Sequence, residues 1–173
     1  FNRLDWSYTD NGFAIGLPRA ADNAGDWQLM RPVLRNSAVK PAPEDIAWMR
    51  EAFLDLLRIR GSSTLFRMRT ATDVRARLSF RNTGPRQNPT VIAVHLDGNG
   101  YEGAGFREVL YFINASPDAQ TLDLAQEAGK AYVPHPVQRA QQAADTRLRD
   151  ARYDGTTGRF VIPGRSVVVY VIE

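Results

Sequence analysis

The side chains able to do chemistry are few. His95 and His135 are the only imidazoles in the 173-residue chain, and there is no cysteine. Thiolate nucleophiles, disulfide frameworks and thiolate zinc ligation are therefore excluded. His95 falls within the apolar run Val91–Leu96, and His135 lies between Pro134 and Pro136. Neither has a His, Glu or Asp at metal-ligand spacing, so both read as structural histidines rather than ligands or bases. Asp5, Asp10, Asp22 and Asp26 are scattered through an irregular segment. Glu44 and Asp45 suit the first turn of a helix, where a carboxylate meets the positive end of the dipole. Spacing alone nominates no acid/base pair, so no catalytic residue is assigned. A nucleophile elbow, a phosphate-binding loop and a dinucleotide fingerprint are all missing. Gly98-Asn99-Gly100 and Gly103-Ala104-Gly105 read as hairpin loops. Asn114-Ala115-Ser116 fits a glycosylation sequon, a triplet common by chance.

The elements that must position these residues fall into two halves. Over the first 42 residues Trp6, Tyr8, Phe13 and Trp27 are mixed with Gly, Pro, Asn and Asp, with no sustained helical or strand period. The aromatics argue against a disordered linker, and the reading is a long ordered loop laid over a scaffold. A helix is predicted over Pro43–Arg60. Pro43 suits its first position, Gly61 its C-terminal cap, and Ile46, Met49, Phe53, Leu56 and Leu57 form one apolar stripe. Ser62 or Ser63 is expected to cap a short helical piece through Phe66, and Thr72 or Asp73 a further turn. From Leu78 the period becomes two. Strands are predicted at 78–80, 91–96, 109–113, 121–124, 159–162 and 167–172, divided by turn signals such as Asn82-Thr83-Gly84-Pro85 and Pro163-Gly164. No useful helical pattern alternates with them, which predicts an antiparallel β-sandwich. The polar stretch from Gln138 to Asp150 reads as a surface excursion.

Composition bounds the partners. The apolar fraction is 43% and the charged fraction 24%, with a net charge of only +3. That describes a folded domain with a mixed-charge surface, so nucleic acid is not an expected partner. No run approaches the about 18 apolar residues that a membrane span needs. The chain opens on Phe1 rather than Met. This reads as a piece of a longer polypeptide, and compartment and oligomeric state stay undetermined.

Phe1-Asn2-Arg3-Leu4-Asp5-Trp6, then Asp10-Asn11-Gly12-Phe13 and Gly16-Leu17-Pro18, resemble the segment after the eighth barrel strand in pullulanase-type α-1,6-glucosidases and limit dextrinases. The resemblance continues through Lys40-Pro41, Leu56-Leu57-Arg58-Ile59-Arg60 with Ser62-Ser63, Leu65-Phe66-Arg67 and Arg81-Asn82-Thr83-Gly84-Pro85. It ends on Pro134-His135-Pro136-Val137-Gln138 and Thr157–Arg165. No single piece is diagnostic; the ordered set is specific.

The resemblance implies a retaining glycoside hydrolase of the α-amylase superfamily that cleaves branch linkages in pullulan, amylopectin and limit dextrins. Such enzymes hold a nucleophile and an acid about 5–5.5 Å apart. The family sets these and a third carboxylate on barrel strands upstream of Phe1, so the chain alone should be inactive. Residues 1–74 would be the tail of the (β/α)8 catalytic barrel, its last long loop and final helix, and 75–173 the C-terminal β-sandwich. The fold class is thus mostly β. In this superfamily an Asp, followed four residues later by an Arg, holds a glucose unit. Arg3 matches the Arg and is the one substrate-binding residue implied; its alternative is a loop brace through Asp5. No cofactor is implied; a structural calcium is possible in the parent enzyme, with no ligand loop here. The partners expected are an α-glucan and the rest of the barrel, and the excised helix stripe would favour self-association. The alternative is a stand-alone carbohydrate-binding module. Such a module should expose aromatics, whereas Tyr111, Phe112, Tyr132, Phe160 and Tyr170 lie in or beside apolar strands.

Overall fold

The computed structural model describes residues 5–173, which form two compact units, one ending at Phe53 and the other running from Leu54 to Glu173. From Asp5 to Ala42 the expected long ordered loop is only partly present. Helices α1 (Ala20–Asn23) and α2 (Trp27–Arg35) are separated by a 3₁₀ turn at Ala24–Asp26. α2 carries Pro32 inside it, a residue that argues against a helix interior, and buries no residue. The segment before α1 is held by local polar contacts. Asp5 accepts from the amides of Ser7, Thr9 and Asp10 at 3.0–3.1 Å, and Trp27 Nε1 donates to Pro18 O at 3.0 Å.

Helix α3 spans Pro43–Ser62. Pro43 opens it as predicted, and Asp45 reaches back to accept from the Ala42 amide at 2.9 Å. It does not stop at Gly61, which keeps a helical backbone. Termination falls to the next serines: Ser62 Oγ donates to Ile59 O, and Ser63 Oγ accepts from Leu65 N to start the 3₁₀ turn Thr64–Arg67. Helix α4 (Ala71–Arg77) is capped by Thr70, not Thr72 or Asp73; its hydroxyl accepts from Asp73 N at 3.0 Å.

The strands are β1 (Leu78–Phe80), β2 (Val91–Asp97), β3 (Glu108–Asn114), β4 (Gln120–Asp123), β5 (Val133–Pro134), β6 (Arg152–Asp154), β7 (Arg159–Ile162) and β8 (Ser166–Ile172). They build a five-stranded sheet, β1-β2-β3-β8-β5, and a three-stranded sheet, β4-β7-β6, with every pairing antiparallel. The predicted sandwich is thus present. The short β5 and β6 were not anticipated, being too brief to show a period.

One core lies between the sheets. Phe112 and Tyr170 of the large sheet meet Phe160 of the small one, with Phe112 and Phe160 ring centres 4.9 Å apart. The other face of the large sheet is buried too, under Ile59 of α3 and Leu65, which cover Val94, Val109, Val169 and Val171. Burial on both faces explains why β8 reads as a continuous apolar run rather than an alternation. The β7–β8 turn needs Gly164, since a Cβ there would fall 2.0 Å from Pro117 O.

The stretch from Gln138 to Asp150 is not merely a surface excursion. Helix α5 (Pro136–Arg139) buries Gln138, whose amide donates to Val167 O and accepts from Val169 N at 2.8 Å, and Leu148 packs on the inter-sheet core. Asn114 of the sequon is 2% exposed, and its amide donates to Ile162 O and Pro163 O. It is a structural strut.

Candidate functional site

Three constellations could carry chemistry. The first is a polar cluster at one end of the inter-sheet layer. In the β2–β3 register His95 faces Leu110, so Glu108 lies diagonally beside it on the inner face. Ser79, opposite His95, sets Arg81 on that same face. The 3₁₀ turn Ala125–Glu127 brings Glu127, 0% exposed, across from the β4 side, and Lys130 and Tyr132 follow it.

The Lys130 ammonium lies 2.6 Å from Glu108 Oε2 and 2.7 Å from Glu127 Oε2. Arg81 Nε donates to Glu127 Oε1 at 2.5 Å, and His95 Nε2 to Glu108 Oε2 at 2.8 Å. Tyr132 Oη lies 2.8 and 3.0 Å from the two carboxylates, its single proton serving one at a time. Burial by itself would raise the Glu108 carboxyl, but hydrogen bonds from Lys130, His95 and Tyr132 outweigh it and hold the group at about 2. Glu127 is pulled down against burial by Lys130 and Arg81, and Lys130 is pushed up by the two carboxylates.

His95, Glu108 and Glu127 offer donor atoms within 4.8 Å of one another, a set that could hold a cation. That position is already filled: two carboxylate charges face Arg81 and Lys130, and a divalent ion would have to displace the ammonium. The cluster is a charge-balanced clasp between the sheets. Both carboxylates are held in the ionised form, which has no proton to give as a general acid. Glu108 escaped the sequence reading because its partners are 13 to 24 residues away, and Glu127 because Arg81 lies 46 residues before it and the step to Lys130, three residues on, looks like any exposed pair. Pairing the two predicted strands around Gly98–Gly105 would have placed Glu108 near His95.

The second constellation resembles a hydrolase dyad. Ser62 Oγ lies 3.0 Å from His135 Nε2. His135 Nδ1 accepts from the Val137 amide, so the ring proton sits on Nε2 and points at the serine. An imidazole that donates to a hydroxyl cannot take its proton, and Ser62 spends its own on Ile59 O. Burial, with Arg139 nearby, lowers His135 to about 4. It is a structural histidine, as its sequence context suggested, packed edge-on against Phe106 at 5.3 Å.

The third is the loop after Arg3, the one implied substrate contact. Arg3 lies outside the described residues. Asp5, its alternative ion-pair partner, already accepts from Ser7, Thr9 and Asp10, hydrogen bonds that hold its carboxyl well below the usual range. Tyr8 and Ala14 adopt φ of 57° and 64°, where side chains rarely settle, and Arg50 lies over the Tyr8 ring at 5.0 Å. The loop tip leaves Trp6 76% exposed. Against a free sugar-binding module, Phe112, Phe160 and Tyr170 are buried in the sandwich.

With the geometry in place, comparison with known proteins is informative. Residues 8–173 match the family described as alpha-1,6-glucosidases, pullulanase-type, C-terminal. The chain is 34% identical to the chloroplastic pullulanase 1 of Arabidopsis thaliana over 99% of its own length and 18% of that protein's. It is 28% identical to a Klebsiella pneumoniae pullulanase over 98% and 15%. It superposes on Klebsiella pneumoniae PulA solved as a maltotriose complex with a TM-score of 0.84 at 25% identity, over 98% of this chain and 18% of that one. It therefore spans less than a fifth of the relatives it matches. Matched over nearly its whole length, in sequence and in fold, the chain belongs to the C-terminal portion of the pullulanase-type α-1,6-glucosidase family.

Proposed function

We propose that this chain is the closing part of a starch-debranching enzyme that hydrolyses α-1,6-glucosidic linkages in pullulan, amylopectin and limit dextrins with retention at the anomeric carbon. The observation that carries the reading is the match of residues 8–173 to the family's C-terminal portion. In this reading residues 1–74 finish the catalytic barrel and 75–173 form the sandwich that seats on it. The chain's own chemistry supports a scaffolding role: its buried carboxylates are locked in ion pairs and its Ser–His pair faces the wrong way.

Arg3 borders the glucan cleft in this proposal. A planar guanidinium offers fixed donors to neighbouring sugar hydroxyls. The test compares the 173-residue chain with the full-length enzyme by reducing-sugar release from pullulan. The full-length protein should be active and the chain alone inert. Arg3→Ala in the full-length enzyme should lower kcat/KM by the equivalent of about 1.5–3 kcal/mol with the fold kept. Activity in the isolated chain that a mutation within it abolishes would overturn the proposal.

A further inference from the structure

The chain holds two Asn-Gly pairs, Asn11-Gly12 and Asn99-Gly100. Glycine after asparagine leaves the main-chain nitrogen unshielded, because no Cβ stands beside it. That nitrogen can attack the asparagine side chain when the local fold allows. The two pairs differ in what the fold does to them.

At Asn11 the nucleophile is tied down. The Gly12 amide donates to the Asp10 carboxylate at 2.7 Å, Gly12 is buried, and Asn11 Oδ1 accepts from Phe13 N at 3.0 Å. At Asn99 it is not. Asn99 and Gly100 are both exposed at the tip of the β2–β3 connection, in a turn closed by Tyr101 N donating to Gly98 O at 3.0 Å. Gly100, at φ 66°, sits where only glycine is at ease, and its N–H meets no acceptor among the described residues. The Asn99 side-chain nitrogen is held 2.8 Å from Asp97 Oδ1. That carboxylate can steady the positive charge that gathers as ammonia forms.

We propose that Asn99 is a site of spontaneous deamidation, the one of the two Asn-Gly pairs that the fold leaves reactive. The Gly100 nitrogen loses its proton and bonds to Asn99 Cγ. The Cγ–Nδ2 bond breaks, and the nitrogen takes a proton and leaves as ammonia. Water then opens the five-membered imide at either carbonyl, giving an aspartyl or an isoaspartyl residue. One water is consumed, one ammonia is released, and nothing is oxidised. The change falls on a gripped point: Arg77 Nη1 donates to Asp97 O at 3.1 Å and Asn99 O at 2.8 Å, with the guanidinium 4.7 Å from the Tyr101 ring centre. The isoaspartyl form lengthens the main chain inside that grip and adds a carboxylate beside Asp97.

The test is peptide mapping of the full-length protein after incubation at mildly alkaline pH, with isoaspartate detected by enzymatic methyl transfer. The Asn99 peptide should convert about tenfold faster than the Asn11 peptide, the rate equivalent of the hydrogen bond to a carboxylate that Gly12 must first break. In denaturant the two peptides should convert at matched rates, and Asn99→Gln should remove the fast signal. Equal or faster conversion at Asn11 in the native protein would overturn the proposal. So would an Asn99 peptide that stays intact when native yet converts in denaturant.

Discussion

The residues up to Phe53 and those from Leu54 onward are both ordered, but by different means. In the first unit Gly12 is the only described residue that is buried, and the segment is held by Asx-type turns, a Trp27–Pro18 hydrogen bond and ring–cation contacts. In the second, apolar side chains pack on both faces of a five-stranded sheet. Local hydrogen bonds define a conformation but contribute little net stability each, whereas burying apolar area outweighs chain entropy. The stability of this chain therefore resides from Leu54 onward, and the first unit is held in shape without a core of its own. Substitutions can test that contrast.

The largest effect is expected at the clasp. Glu127 is fully buried against Arg81 and Lys130, and removing one partner of such a group strands the others' charge. Glu127→Ala should cost about 3–5 kcal/mol in urea-induced unfolding. A loss no larger than that of an exposed-site variant would mean that the cluster is wet, and the contrast between the units would weaken.

That clasp also marks where sequence reasoning stopped. Strand positions were legible because Leu, Val and Ile alternate or run together at Val91–Leu96 and Val167–Ile172, and the turn residues between them are unambiguous. The start of α3 was legible from Pro43-Glu44-Asp45. Its end was not, because Gly61 signals a cap that the Ser62 and Ser63 side chains provide instead. Arg81 and Glu108 meet Glu127 and Lys130 only after the β4–β5 connection folds against the large sheet, and beyond the three-residue step from Glu127 to Lys130 no short-range pattern encodes that. Strands as short as β5 and β6 are set by the neighbours they pair with, not by their own residues.

A smaller effect is expected from His135. Its folded value, about 4, lies below the ordinary 6.5, because the buried ring resists charge. The stability it contributes is full above 6.5 and is lost as pH falls from 6.5 towards 4. Glu108, ordinarily 4.5 and held near 2, loses its contribution in the next window down, as pH falls from 4.5 towards 2. His135→Gln should flatten the upper window and leave the lower one intact, as read by urea midpoints across the pH range. An unchanged slope between the two His135 values would mean that the ring is solvated.

The smallest effect on stability is expected on the exposed part of a helix that displays the contrast along its length. On α3, Ile59 is 3% exposed under the large sheet, whereas Phe53, earlier on the same helix, is 57% exposed. Met49, Leu56 and Leu57 of the predicted stripe are exposed with it. Truncating a buried Ile to Ala typically costs about 2–5 kcal/mol, whereas an exposed substitution usually stays within about 0.5 kcal/mol. Phe53→Ser should therefore leave the unfolding midpoint of the isolated chain nearly unchanged while Ile59→Ala lowers it clearly. The same stripe is a contiguous apolar surface, and such surfaces drive association. Light scattering of the isolated chain should show dimers or larger species that Phe53→Ser shifts towards monomer. A Phe53→Ser chain as destabilised as Ile59→Ala would show that the N-terminal half of the helix is packed after all. A wild-type chain that stays monomeric at high concentration would instead separate exposure from stickiness, and would remove self-association while leaving the contrast in burial intact.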